Sequence, residues 1–592
     1  MAIEHSTLLT DEFVITVAGN NAQNSVLSNF VLSNNTVVSI QAGEKVRVLD
    51  SESHILIFSG YEIRCLEQHN SNVFRQLIDA PQPAISEWLE QANGYFSLAI
   101  INKSDGGIVI ARDKLGAKPL YYQFSDKTIT LANRLNNMPH SANQTFDAVG
   151  LFESINYRWM SGKETLINSI SQVPTACYVD ITDNSSVNET RYWNWEAACR
   201  ITERPEMSEV IASLEKGFDE YFKIIAPQVK KVLIPLSGGI DSSVLAAKAA
   251  EHLGDKAVLG IVKFEGDNNP EYQTACYFAK TLGLETRVIE YKNEDVINDI
   301  NSLVDKLEQL PRHYSSMPFA KLLNSSDEFD GVIYGEPGDT LFGSGTINRL
   351  IKRLKKKKYS QYIPNCLFNG VVRPLQPNIA KKFIELKKES IHSLFHTADK
   401  LVFDKNDEVV LSQLQKHMRD VLHIDGHLAL NDDGDFLAQN KADWLAQLKN
   451  YMLITDIVDH LITADHLIEN RKMEILTPLS YSPVVEATKL ISENLYLGKS
   501  HVKIALRELG CKYYSKESMY APKYGFNTPN DVWIEALRTS MEDKIGNGQL
   551  VQQNILTDVS ADKLSSLSKE MIWTLYHLEI FASKFNIQAS PN

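Results

Sequence analysis

Residues 231–250 read KVLIPLSGGIDSSVLAAKAA. A short apolar run, Val232–Leu236, is broken by Ser237-Gly238-Gly239, and a helical pattern follows at once. A strand, a glycine turn and a helix together make an anion site, because glycine lets the backbone approach a phosphate and the first N–H groups of the helix point at it. A Walker loop would carry a lysine before the final Ser or Thr, and none stands here. The dinucleotide fingerprint needs three spaced glycines, also absent. The hydroxyls of Ser237, Ser242 and Ser243 suit phosphate oxygens. Asp241 does not, unless a cation lies between the two anions, and magnesium carried by a nucleotide would meet that need.

A second stretch has the same character. Residues 329–345, FDGVIYGEPGDTLFGSG, hold another apolar run that opens into a glycine-rich turn with an acid, Asp339. In a parallel sheet such turns gather at the carboxyl ends of the strands, where ligands bind. Asp241 and Asp339 are therefore expected to share magnesium. Taken alone, Asp339 also fits a turn former or helix cap.

The rest of the chain supplies the frame. Up to about residue 190, EFVITVAG, HILIFSG, GYFSLAIIN and GIVIARD are closely spaced strand signals, which implies stacked antiparallel sheets. Beyond residue 230, KVLIPLS, AVLGIVKF, TRVIEY and GVIYGE alternate with helical stretches, the pattern of a parallel sheet with helices on its faces. From about 345 the chain is mostly helical and includes a basic run, RLIKRLKKKK, at 349–358. The expected division is a first domain over 1–195 and a second over 205–592, with a helical insertion at about 346–445.

Composition narrows the class. The 592 residues carry a net charge of −14, against broad binding to nucleic acid or anionic membrane. Six scattered cysteines without a CxxC pair suggest neither disulfides nor zinc. With no signal peptide and no apolar run of membrane-spanning length, a cytoplasmic protein is expected.

The Ser-Gly-Gly-Ile-Asp-Ser-Ser string resembles the pyrophosphate loop of the N-type ATP pyrophosphatases. Further strings extend the likeness to the class B asparagine synthetases. Residues 465–487, DHLIENRKMEILTPLSYSPVVEA, are similar to the stretch in which Asp, Met and Glu precede Pro-Phe-Leu-Asp, with Asp465, Met473 and Glu474 in those places. KIALREL at 503–509 resembles the Lys-x-x-Leu-Arg segment, and APKYGFNTP at 521–529 the Arg-x-Lys-x-Gly-Phe string, with Lys523 in the lysine position. NGYFSLAIINKSDGGIVIARDKLGAKPLYY, 93–122, looks like the core of the glutaminase domain.

The resemblance implies an N-terminal Ntn-hydrolase-like domain, a C-terminal ATP-pyrophosphatase (PP-loop) domain and the cofactors ATP and Mg2+. A carboxylate would be activated to an acyl-AMP, and an amine would expel AMP. Ser237, Gly238, Gly239, Asp241, Ser242, Ser243, Val262 and Gly335 would bind the nucleotide, with Asp241 and Asp339 on the metal. Glu474 and Lys523 would be catalytic. Relatives that close β-lactams use a Tyr–Glu base pair, for which Tyr451 and Tyr481 are candidates, with Tyr451 expected to be catalytic; a buried core tyrosine also fits either position.

Departures from the pattern set expectations of their own. Position 2 is Ala, where the glutamine-using enzymes have their nucleophilic cysteine, and the first cysteine is Cys65. The Asn-Gly-Glu substrate loop is replaced by a stretch like FSGYEIRC, 58–65. Thr340, Leu476, Tyr481 and Ala521 replace the family's Glu, Arg, Asp and Arg. These changes imply a branch without glutaminase, similar to β-lactam synthetases and lasso-peptide macrolactam cyclases. The expected substrate is a carboxylate and an amine on a precursor peptide, with a leader-peptide protease or peptide-recognition protein as partner. A β-lactam-type or ammonia-dependent ligase and a non-catalytic binding subunit remain alternatives. His460 and His466, six apart, read as ordinary helix surface.

Overall fold

The computed structural model describes residues 11–345, with breaks at 19–27, 33–36, 68–70, 79–81, 126–127, 142–143, 157, 161, 183–185, 194–204 and 267–269; residue 449; and residues 452–588, with breaks at 470–471, 493–494, 497, 499, 523–527, 554 and 557–560. Tyr451, Lys523 and the 346–445 insertion with its basic run lie outside the described residues.

The first half builds two antiparallel six-stranded sheets. One runs Ser171–Gln172, Tyr121–Ser125, Thr128–Ala132, Phe13–Ala18, Val37–Ala42, Ser28–Val31, and the other Ser186–Arg191, Cys177–Thr182, Ile108–Arg112, Gly94–Asn102, His54–Glu62, Arg47–Asp50. Side chains alternate across a strand. Accordingly Ile55 and Ile57 enter the core between the sheets, while Leu56 and Phe58 enter a second core with Phe74 and Trp88 from the helices Ser71–Ile78 and Gln82–Gln91. Burial on both faces explains why HILIFSG is almost continuously apolar.

The second half carries a wholly parallel five-stranded sheet. Its order is Glu285–Tyr291, Ala257–Phe264, Val232–Pro235, Gly331–Ile333, Glu474–Leu476. Four of these strands coincide with the apolar runs read from the sequence; the fifth adds three residues of the 465–487 motif. In chain order the strands lie 3-2-1-4-5, so the winding reverses between Val232–Pro235 and Gly331–Ile333. That reversal opens a crevice at the carboxyl ends of those two strands. Among the described residues no helix is long and apolar enough to cross a membrane.

The halves share one apolar core, in which Tyr61, Tyr95 and Leu115 of the first pack with Tyr221 and Leu479 of the second. Polar contacts fasten it. Arg134 Nε donates to Glu308 at 2.8 Å, Ser482 N donates to Asn93 Oδ1 at 3.2 Å, and Gln144–Thr145 pairs in parallel with Ile587–Gln588. Deepest is Lys118, 2% exposed, whose ammonium lies 3.0 Å from Asp11 and 2.7 Å from Asp465, with Glu474 at 3.7 Å. Removing a buried ion's partner costs about 3–5 kcal/mol, because the remaining charges stay buried. Lys118→Met is therefore expected to lower the urea midpoint by about that equivalent. Adding Asp465→Asn should recover part of the loss. An unchanged midpoint for the single variant would show that the contact does not join the halves.

Candidate active site

The strand Val232–Pro235 is buried and leads through Leu236–Gly239 into the fourteen-residue helix Ile240–Leu253. Gly238 has φ +72°, and a Cβ there would stand 2.9 Å from the Glu271 carbonyl oxygen. Only glycine fits this turn. Gly239 precedes the helix in extended conformation, leaving the first N–H groups of the helix directed toward the crevice. Ser237 and Ser242 hydroxyls lie 3.3 Å apart on the loop's rim. Ser243 differs: it is fully buried, and its hydroxyl donates to the Gly239 carbonyl at 2.7 Å, bracing the turn from within. Val262 is half-buried near the carboxyl end of the neighbouring strand Ala257–Phe264.

Asp241 occupies the first turn of the helix, and the second glycine-rich turn comes against it. A Cβ on Gly338 would lie 2.6 Å from Asp241 Oδ1, and one on Gly335 would lie 3.6 Å from Asp241 Cβ. The strand reversal thus brings the two acids predicted as a pair to one place. Between them stands Lys503, 1% exposed, with its ammonium paired to both Asp241 and Asp339. Burial disfavours the charge on Lys503, but the two carboxylates outweigh it and hold its pKa above the ordinary lysine value. The backbone of Lys503 is left-handed, φ +59°, an unusual state for a side-chain-bearing residue. Asp241 Oδ1 is buried and accepts no hydrogen bond among the described residues. Two adjacent carboxylates, one with an unused buried oxygen, suit a hard divalent cation such as Mg2+.

Glu474 lies elsewhere. It begins its strand opposite Gly331, at the amino-terminal end of the parallel sheet, with Lys118 and Lys45 each 3.7 Å away. The structure groups it with the ion cluster joining the halves, and apart from Asp241 and Asp339. Of the positions that depart from the family pattern, Leu476 is buried against Gly331, Thr340 is fully buried, and Tyr481 packs on Tyr221 with ring centroids 5.6 Å apart.

Three side chains join the site that sequence reasoning passed over. Lys503 stood within the KIALREL string without a role. Glu336 stood within the second turn. His460 belongs to the helix Asp456–His466, almost all of which is buried, so the reading of both histidines as helix surface is corrected. His466 Nδ1 meets the Leu307 carbonyl at 2.7 Å. His460 Nδ1 lies 3.1 Å from Glu336 Oε1, and its Nε2 lies 3.0 Å from His313 Nε2. Burial opposes a charge on His460, but Asp456 and Glu336 raise its pKa to about 9. Burial likewise raises Asp459 to about 6.

A parallel sheet with a glycine turn, an acid pair and a bridging lysine at its switch point forms a nucleotide-phosphate site, and the family it shares makes the chain an ATP-dependent ligase. The asparagine synthase model matches residues 228–583, and a glutamine amidotransferase domain model matches residues 77–193. The chain belongs to the asparagine synthase family. It is 21% identical over 578 residues to asparagine synthetase [glutamine-hydrolyzing] 1 of Bacillus subtilis, covering 93% of this chain and 88% of the relative. It is 23% identical over 475 residues to a putative asparagine synthetase [glutamine-hydrolyzing] of Mycobacterium bovis, covering 76% and 69%. An NH3-dependent NAD synthetase from Campylobacter jejuni, solved with nitrate ion, aligns at 16% identity over 33% of this chain and 100% of its own, with a TM-score of 0.19.

The packing of Gly338 on Asp241 gives a sharp test. Gly338→Ala should displace the Asp241 carboxylate and cut ATP-dependent pyrophosphate release about a hundredfold, the scale on which misplacement by an ångström acts. Gly345→Ala, where a Cβ meets nothing within 4 Å, should leave release near the wild-type rate. Equal rates for the two variants would refute the assignment.

Proposed function

We propose that this chain adenylates a carboxylate with ATP and passes the acyl group to an amine that does not come from glutamine. The observation that carries the reading is the Asp241–Lys503–Asp339 cluster beside the Gly238 turn. A carboxylate and the α-phosphate are both anions, so their approach requires positive charge fixed between them. Asp241 and Asp339 would hold Mg2+, which when bound offsets that repulsion. The N–H groups at the start of the Ile240–Leu253 helix, with Ser237 and Ser242, would hold the departing pyrophosphate. Lys503 would keep the two acids in place, and its compact ammonium can yield one carboxylate oxygen to the metal. Lys523 and Tyr451 keep the roles implied by the resemblance, charge stabilisation and base assistance.

The amine source is inferred from the first half. A glutaminase of this type needs a free amino-terminal cysteine as nucleophile and base. Here the strand Phe13–Ala18 is preceded by Asp11 and Glu12, and the Asp11 carbonyl accepts from Ser59 at 2.7 Å and from Asn133 at 2.7 Å. Cys65 is buried, and its thiol is pushed up to about 12 by burial and by Glu62. That is the opposite of an activated thiolate. The first half serves on this reading as a scaffold for the second. Thr340 and Leu476 are buried and Tyr481 packs on Tyr221, and with Ala521 they stand where the family pattern has charged residues. That loss of charge supports a substrate other than aspartate, and we assign intramolecular macrolactam closure of a peptide.

Pyrophosphate exchange into ATP tests the activating step. A linear peptide with a free amino terminus and an aspartate side chain should support exchange and lose one water in the product mass. Asp241→Ala should abolish both. Asparagine made from aspartate and ammonium would overturn the cyclase assignment, and glutamine serving as nitrogen donor would overturn the scaffold role of the first half.

A further inference from the structure

The turn that carries Asp339 also carries Glu336, and behind Glu336 a chain of imidazoles leads outward. Glu336 Oε1 faces His460 Nδ1 at 3.1 Å, and His460 Nε2 faces His313 Nε2 at 3.0 Å. The second oxygen of Glu336, Oε2, is buried and accepts no hydrogen bond among the described residues. Among the described residues no donor satisfies this buried oxygen, and its place beside a reaction centre suits a donor that arrives with substrate. At the far end, His313 is exposed. Two ring nitrogens 3.0 Å apart share one proton, so one imidazole donates and the other accepts. The acids around His460 favour the proton on its ring, which makes His313 the acceptor, and Arg312 and Arg158 beside His313 disfavour a lasting charge there, so it releases the proton of its second nitrogen to solvent as it accepts the first.

We propose that Glu336 takes the proton released by the attacking amine and that His460 and His313 relay an equivalent proton to solvent. This rests on the adenylating reading above. As the new C–N bond forms, the C–O bond to AMP breaks and the amine loses an N–H proton to Glu336 Oε2. The His460 imidazolium passes its Nε2 proton to His313, and His313 gives up the proton of its other nitrogen to water. One proton enters at the carboxylate and one leaves at the surface; AMP departs with the electron pair of the broken bond. The remaining neighbours hold the protonation pattern. Arg312 pairs with Asp456, and Gln309 donates to Asp459 Oδ1 at 2.9 Å, while Arg158 donates to the Arg312 carbonyl. Glu336 is the residue that meets the amine; His460 and His313 act through it.

The test separates the half-reactions in the full-length chain, with the linear aspartate-bearing peptide and, separately, aspartate with ammonium as probes. His460→Gln and His313→Gln should each lower kcat for amide formation at least tenfold, a larger loss than either causes in pyrophosphate exchange, with KM changed less than threefold. Imidazole added to the buffer should restore much of the lost rate in His313→Gln, and the pH profile of amide formation in His460→Gln should lose its alkaline limb near pH 9. Because His313 is exposed, its variant reports on the relay even if His460→Gln folds poorly. Wild-type amide formation by His313→Gln, or a loss that imidazole does not restore and that exchange shares equally, would overturn the relay. Absence of exchange in the wild-type chain with every carboxylate tried would remove the adenylating reading, and the relay with it.

Discussion

The site depends on one buried ammonium held between two carboxylates. Lys503 reaches Asp241, just after the first strand of the parallel sheet, and Asp339, just after the fourth. Without a cation those acids would repel each other across the crevice, and desolvation would magnify the repulsion. The ammonium lets the strand ends close on each other, and the absence of a Cβ at Gly338 lets the second turn reach Asp241. The left-handed backbone at Lys503 is the local strain that this arrangement tolerates.

A second lysine has the matching role at the other end of the sheet. Lys118, from the antiparallel half, sits among Asp11, Asp465 and Glu474. Two of those acids belong to the motif that resembles the synthetase signature, so part of that motif anchors the first half of the chain. Removing the first half would strip a cation and an apolar wall from the second. The shared core around Tyr95 and Tyr221 makes the same point in apolar terms.

Much of the architecture was legible in the sequence because period and turn chemistry are local properties. Alternating and continuous apolar runs marked the two antiparallel sheets and four of the five parallel strands. The glycines at 238 and 239 marked the turn, since few other residues tolerate its geometry. Asp241 and Asp339 were legible as a pair because parallel strands send their following turns to one edge. Glu474 was not legible in the same way. Its motif gave its neighbours in the chain, but a three-residue strand decides which end of the sheet a residue occupies, and Glu474 begins the strand rather than ends it.

His460 shows the converse. Spacing along a helix says whether two side chains share a face, and 460 and 466 do not. It says nothing of what packs against each face, and here each histidine meets a different partner on a buried helix. The sequence by itself determined the anion-binding turn, because glycines and an acid at its start are a short-range pattern, and the longer strings that resemble the asparagine synthetases supplied the class of chemistry. Tertiary structure alone decided which charges meet: Lys503 lies 262 residues from Asp241 and His460 lies 124 from Glu336. Contacts at such separations are set by the winding of the sheet and the packing of its helices, which no local periodicity records.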